Sequence, residues 1–231
     1  MTTRVTITLC VAAAVLLAAC SSGPPPADWQ VEAKGAIDRA VAAYLEGNSR
    51  VEQAELARVR AALASTGRAD LLANAELRRC ASRVASLVFE PCLAFEALRA
   101  DATAPQRAYA AYLRSQLQLQ DAALLPEAQR GAAAGQAAAV LALADPLSQL
   151  VAAGVLLQNG QLTAAVADAA VSAASAQGWQ RPLLAWLQLQ AAGAAQRGNA
   201  DEAARLQRRI ALVEGSVNNA APSATKKVPA P

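Results

Sequence analysis

From about residue 28 to residue 214 apolar residues return every three or four positions, and stretches that alternate like a strand are scarce. Near the end of this region Leu206, Ile210 and Val213 fall on one helical face, with Arg205, Arg208 and Arg209 turned away from it. The spacing predicts helices at roughly 28–46, 50–65, 69–87, 92–99, 104–119, 126–142, 146–158, 163–177, 181–197 and 201–214. The segment 92–99 is short enough to be a single turn. Val84 to Phe89 is the best strand candidate, yet it continues a helical pattern. The expected fold is all-α.

Start and stop signals punctuate the pattern. Ser49 with Glu52 reads as a capping box, and Gly67 as the stop of the helix it opens. Asp145-Pro146 pairs an N-cap with a proline in the first turn, opening a helix that ends at Asn159-Gly160. Arg181-Pro182 opens another, ending near Gly198. Asn199 with Glu202 makes a further box, whose helix is expected to stop at Gly215.

Two segments fall outside this pattern. At the N-terminus Arg4 precedes an apolar stretch from Val5 to Leu16, followed by Leu17-Ala18-Ala19-Cys20. A short basic region, about a dozen apolar residues and a small-residue site form a secretory signal, too short for a retained membrane span. Leu17-Ala18-Ala19-Cys20 resembles the lipobox of bacterial lipoproteins. The resemblance implies removal of residues 1–19 and lipidation of Cys20, with acyl chains that each contribute about 0.8 kcal/mol per buried methylene. Ser21, which is not Asp, implies the outer membrane. The alternative is an ordinary signal peptide that leaves Cys20 a free thiol. Cys20 to Ala27, with Pro24-Pro25-Pro26, reads as an extended tether of some 20 Å at about 3.1 Å per residue. Residues 216–231, with Asn218-Asn219, Lys226-Lys227 and Pro229-Ala230-Pro231, read as a disordered tail. Between these segments 28–215 form one helical domain of ordinary size.

Loss of Arg4 from 21 basic residues leaves 20 against 18 acidic, a net charge of +2. With aromatics at 3%, that balance argues against nucleic acid as a partner. Histidine is absent from the sequence, which removes Ser-His-Asp and Cys-His nucleophiles and imidazole-ligated zinc. No metal or cofactor is expected. With Cys10 removed and Cys20 acylated, Cys80 and Cys92 remain in an oxidising compartment and read either as one disulfide or as two buried thiols. The bond carries a geometric condition. A helix unbroken from Cys80 to Phe89 would rise about 13 Å, so it must end near Ser86 to Val88.

The stretch from Gln158 through Gly160 to Ala165 parallels that from Gln196 through Gly198 to Ala203. Each ends a helix, turns at glycine and opens the next with an alanine five residues on. The glycines stand 38 residues apart, against 34 in a tetratricopeptide repeat. Ala153 and Ala191, seven residues before the glycines, are small enough to let helices pack closely. Residues 145–215 thus resemble two tetratricopeptide-like hairpins, and Tyr44-Leu45-Glu46-Gly47 leading into Val51 to Ala64 a weaker third with a longer turn. The pattern departs from the family at Gln149, Leu162 and Ala200, where large or aromatic residues are usual. The resemblance implies a short solenoid with a concave face for a protein partner; an Ala-rich helical bundle is the alternative. Tetratricopeptide lipoproteins assist outer-membrane protein assembly, pilus secretin assembly or peptidoglycan synthesis. Leu77 to Leu87 and Asp145 to Gly154 also resemble stretches of uncharacterised proteobacterial lipoproteins, a likeness that brings no activity.

Four further features invite chemistry. Glu90, in the apolar stretch before Pro91-Cys92, is the sole candidate for the glutamate of a lytic transglycosylase, but the Glu-Ser pairing of those enzymes is absent there and a turn-capping role competes. Asp201-Glu202 complements a helix start. Arg78, Arg79 and Arg83 form either a basic patch for lipid or an acidic partner, or a solvated face. Trp179 and Trp186 are either anchors for a partner or core. The expected role is an envelope interaction scaffold without catalysis. Glycan cleavage, and attachment to peptidoglycan through the tail, are the alternatives.

Overall fold

The structure, a computed structural model, describes residues 27–220, with side chains as far as Gly215. The expected signal peptide, Cys20, the tether up to residue 26 and the tail beyond 220 lie outside the described residues. Among the described residues the chain forms eleven α-helices and one 3-10 helix, with no strand. The all-α expectation holds.

The helices are α1 (Asp28–Leu45), α2 (Ser49–Ala64), α3 (Ala69–Ala85), α4 (Leu93–Glu96), α5 (Ala104–Leu113), the 3-10 helix Leu119–Leu124, α6 (Glu127–Ala133), α7 (Ala137–Leu141), α8 (Pro146–Gln158), α9 (Ala164–Ala176), α10 (Gln180–Gln196) and α11 (Ala200–Ala220). They enclose two apolar cores. The first joins Ile37 and Leu45 of α1 to Leu56, Val59 and Leu63 of α2. The second runs from Leu77 and Val84 of α3 through α8 and α9 to Leu206 and Ile210 of α11. Leu147 and Trp179 pack against both. At the centre lies α8, whose residues from Leu150 to Leu156 are all buried. A helix apolar on every side must be enclosed by neighbours, and α3, α6 and α9 surround it.

Gly154 shows how close that packing is. A Cβ there would stand 2.6 Å from the Val84 carbonyl oxygen and 3.0 Å from Val84 Cγ1, so only hydrogen fits between α8 and α3.

One stop recurs along the chain. At Gly160 and Gly198 the backbone turns left-handed, with φ +68° and +72°. The following amides, Gln161 N–H and Asn199 N–H, donate to the carbonyls of Leu156 and Ala194 at 2.8 and 3.0 Å. This closure satisfies the last carbonyls of a helix and reverses the chain. Gly47 closes α1 identically, through Asn48 N–H to Ala43 O at 2.7 Å, and α2 begins only two residues later. The third hairpin therefore has a turn as short as the one at Gly198.

Several expected boundaries move. Residues 104–119 are not one helix: α5 stops at Leu113, Ser115 adopts φ +55°, and a 3-10 helix follows. The stop is tertiary, because Gln158 on α8 donates to Leu113 O at 3.1 Å. Residues 126–142 split into α6 and α7 at Gly135, with φ +71°. The cap of α2 is Asn48, which accepts from Val51 N–H at 3.2 Å, and Ser49 is already helical. Asn199 does accept from Glu202 N–H, but the Glu202 carboxylate turns to Arg205 instead of closing the box. Gly215 takes helical backbone, and α11 continues to Ala220. Asp145 caps α8 as expected, accepting from Ser148 N–H at 2.8 Å.

The helix condition on the cysteines is met. Leu87, at φ +58°, ends α3 early, with Val88 N–H donating to Arg83 O at 2.9 Å. The chain doubles back, and Cys80 and Cys92 form a disulfide with their Cα atoms 6.0 Å apart.

Candidate functional site

Three successive helices, α9, α10 and α11, line a groove of about 860 Å³. Its shape follows from side-chain size. On α9 the lining is small, with Ala164, Ala167, Ser172 and Ser175 at helical spacing, while α10 contributes Gly193, which has no side chain to fill the floor. Val171, Leu189 and Leu206 supply apolar surface between them.

Polar groups of both signs line this surface. Gln190 Nε2 donates to Asp168 at 2.7 Å across α9 and α10. Arg205 grips Glu202 through two bonds of 2.7 and 2.6 Å, and that hydrogen bonding holds the Glu202 carboxyl below its usual range. Arg197 and Arg209 also reach the groove, so its three arginines outnumber Asp168 and Glu202. Such a lining suits an extended peptide, with small-residue clearance, apolar contact and charge-assisted donors together.

A second constellation joins α10 to the first three helices. Two guanidinium groups lie over the Tyr44 ring, Arg83 at 3.8 Å and Arg181 at 4.3 Å from its centroid. Both arginines meet Glu52, at 2.5 and 3.5 Å, and Glu52 is only 4% exposed. Arg181 also donates to Ser49 Oγ at 2.5 Å. Burial raises the Tyr44 hydroxyl pKa, against the opposing pull of Arg83. The cluster ties α10 to the α1–α2 hairpin and the end of α3; the tyrosine and both guanidiniums are committed to one another.

The residues singled out in the sequence scatter. Of the basic patch, Arg78 pairs with Asp38 at 2.6 Å, Arg79 approaches Glu90 at 3.9 Å and Arg83 serves the Tyr44 cluster. Glu90 is 48% exposed and shared between Arg79 and Arg83, whereas a glycan-cleaving acid requires an enclosed apolar setting. Trp186 is fully buried in the core, its indole N–H donating to Ala85 O at 3.0 Å, and Trp179, half-buried, packs against both cores. Ala153 and Ala191 are buried, but Ala165 is exposed, and Val166 beside it makes the inward contact.

In the sequence Glu52 reads as a capping partner, Tyr44 as part of a hairpin and Arg181 as a helix start, each on its own, and the groove pair Asp168 and Gln190 does not stand out. Glu52 carried a signal: with Leu56, Val59 and Leu63 it lies on the apolar stripe of α2, where a carboxylate must find a buried partner. Among the described residues no helix is long and apolar enough to cross a membrane, and no group of three or more potential ligands gathers for a metal ion. No protein-family model, curated protein or solved structure matches the chain.

Proposed function

We propose that the protein is a lipoprotein of the outer membrane, held by acylated Cys20 on the periplasmic side, that docks a segment of an envelope protein in the α9–α11 groove. The observation that carries the reading is the groove itself: three consecutive helices bring small, apolar and charged side chains to one concavity. Stacked helical hairpins generally use such surfaces for partners. The excess of arginine favours a partner segment with apolar side chains and at least one carboxylate. The anchor is supported by Leu17-Ala18-Ala19-Cys20 and the polar residues after it.

Two measurements test the two halves separately. Metabolic palmitate label should enter the parent protein and be lost in Cys20→Ala; no label in the parent removes the anchor. A photoreactive residue placed at Ser172 or Ser175 should give one discrete crosslinked species in living cells. The same residue at Gln207, on the exposed side of α11, should not. Filling the floor with Gly193→Trp should abolish the adduct, and equal crosslinking from every position would sink the groove reading.

A further inference from the structure

A second, smaller groove lies between α1, α2 and α3. Its volume is about 380 Å³, within the range of ligand-sized pockets. The walls are apolar and mostly buried: Ala33 and Ile37 from α1, Val59 and Leu63 from α2, and Ala75 from α3. Trp29 and Leu71, both half-buried, add to the apolar lining. Every charged side chain that lines it is a cation, namely Lys34, Arg68 and Arg78. Lys34 and Arg78 share Asp38, and Arg68 is held by Asp70. Three cations against two carboxylates leave the rim positive.

The position of the groove matters as much as its lining. Trp29 is the second residue of α1, Leu63 lies at the end of α2, and Leu71 at the start of α3. The groove therefore runs from the middle of these helices to the end where the chain enters from residue 26. Cys20 stands seven residues before Ala27, a separation that at full extension spans only about 25 Å. An apolar slot with a cationic rim is thus held within reach of any membrane to which Cys20 is fixed.

From this juxtaposition we infer that the α1–α3 groove takes one acyl chain of an anionic phospholipid. The chain passes along Trp29 and Leu71 onto Ile37, Val59 and Leu63, and the headgroup phosphate meets Lys34 and Arg68. The inference rests on the proposed lipid anchor, which brings the groove to the bilayer surface. It assigns the groove a role apart from the α9–α11 concavity: it sets how the bundle sits on lipid and leaves the other surface free.

The test uses the full chain, produced with its own N-terminal segment in a bacterium that has an outer membrane. The protein is reconstituted into phosphatidylcholine vesicles containing phosphatidylglycerol with a diazirine on one acyl chain. After irradiation and proteolysis, label should concentrate on the peptides that contain Trp29, Ile37 and Leu71. Lys34→Glu with Arg68→Glu, both on exposed side chains, should lower that label by about 25-fold or more, since each basic residue near an anionic surface contributes on the order of a factor of five. Ala75→Phe, which fills the slot, should remove it while circular dichroism still reports the parent's helix content. Label confined to other surfaces, equal label from a neutral phosphatidylcholine probe, or label unmoved by the charge reversals would overturn the inference. Release of the parent by alkaline carbonate would strike the anchor alone, because groove labelling is read in the bound and released fractions alike.

Discussion

Replacing Gly154 with alanine sets two opposed effects against each other, and the structure decides which wins. In the interior of a helix this change normally stabilises by about 0.5–1 kcal/mol, because alanine loses less backbone freedom on folding. At Gly154 the new methyl would lie 2.6 Å from the Val84 carbonyl oxygen and 3.0 Å from Val84 Cγ1, whereas comfortable contact begins near 3.5 Å. The oxygen belongs to the backbone of α3 and cannot rotate aside. It also accepts from Leu87 N–H at 3.0 Å, closing the helix before the disulfide loop. On the other side Ala153 and Val155 are buried and fix α8. Overpacking of this kind costs about 1–3 kcal/mol, so the net expectation is a loss of about 1–2 kcal/mol. Gly193 provides the control. A methyl there meets only the tip of the Arg197 side chain, at 3.1 Å, which can swing away, so Gly193→Ala should gain about 0.5–1 kcal/mol. In a domain of this size each kcal/mol moves Tm by about 2–4 °C. Thermal and urea unfolding followed by far-ultraviolet circular dichroism would place the two variants on opposite sides of the parent. A Gly154→Ala protein as stable as the parent would refute the close approach of α3 and α8.

Three further outcomes follow from other contacts. Reducing the Cys80–Cys92 bond, which spans a separation of 12 residues, should cost about 3 kcal/mol, and an unchanged urea midpoint in reductant would contradict a bond that constrains the unfolded chain. Arg83→Ala should destabilise by about 3–5 kcal/mol, because buried Glu52 then keeps only Arg181 at 3.5 Å; adding Glu52→Gln should recover most of the loss, and failure to do so would assign the damage to packing. Glu55, Glu96 and Glu202 have carboxyls lowered by hydrogen bonds from Arg39, Arg99 and Arg205 respectively. Their contribution should be complete above the unfolded value of about 4.3 and lost as pH falls through the lower folded values, so a urea midpoint that rises on acidification from pH 5 would reverse the assigned sign.

Some local signals in the sequence sufficed and others did not: the boxes read at Ser49 and Asn199 gave way to other contacts, and α11 runs on through the stop read at Gly215. Asp145-Pro146 opens α8 and Gly160 closes it, because caps and left-handed stops involve neighbours along the chain. The need for α3 to end before Cys92 was also legible, since helix rise alone forbids the bond otherwise. The break after Leu113 was not legible. Ser115 has no intrinsic preference for φ +55°, and the carbonyl left open there is claimed by Gln158, 45 positions away. Gly135 did mark the division between α6 and α7, but it lay in an alanine-rich run whose propensity favoured continuation. At the candidate groove the hairpin around Gly198 was visible and the lining was not: Asp168 and Gln190 meet only because α9 and α10 pack side by side. Glu52 was masked by its suitability as a capping partner, although the apolar period of α2 already placed it inside.

The stacking of Arg181 on Tyr44 bears on how this chain can be lengthened, cut or pulled. In an open row of hairpins, units can be added or deleted at either end while the rest survives. Here a late helix clasps the first hairpin, so the row is fastened back on its own beginning. Deleting α10 would undo a joint in α1 as well as removing a unit. Force applied at the start of α1 would pass along that helix and into this clasp, so the bundle should yield in a single break and not peel apart hairpin by hairpin.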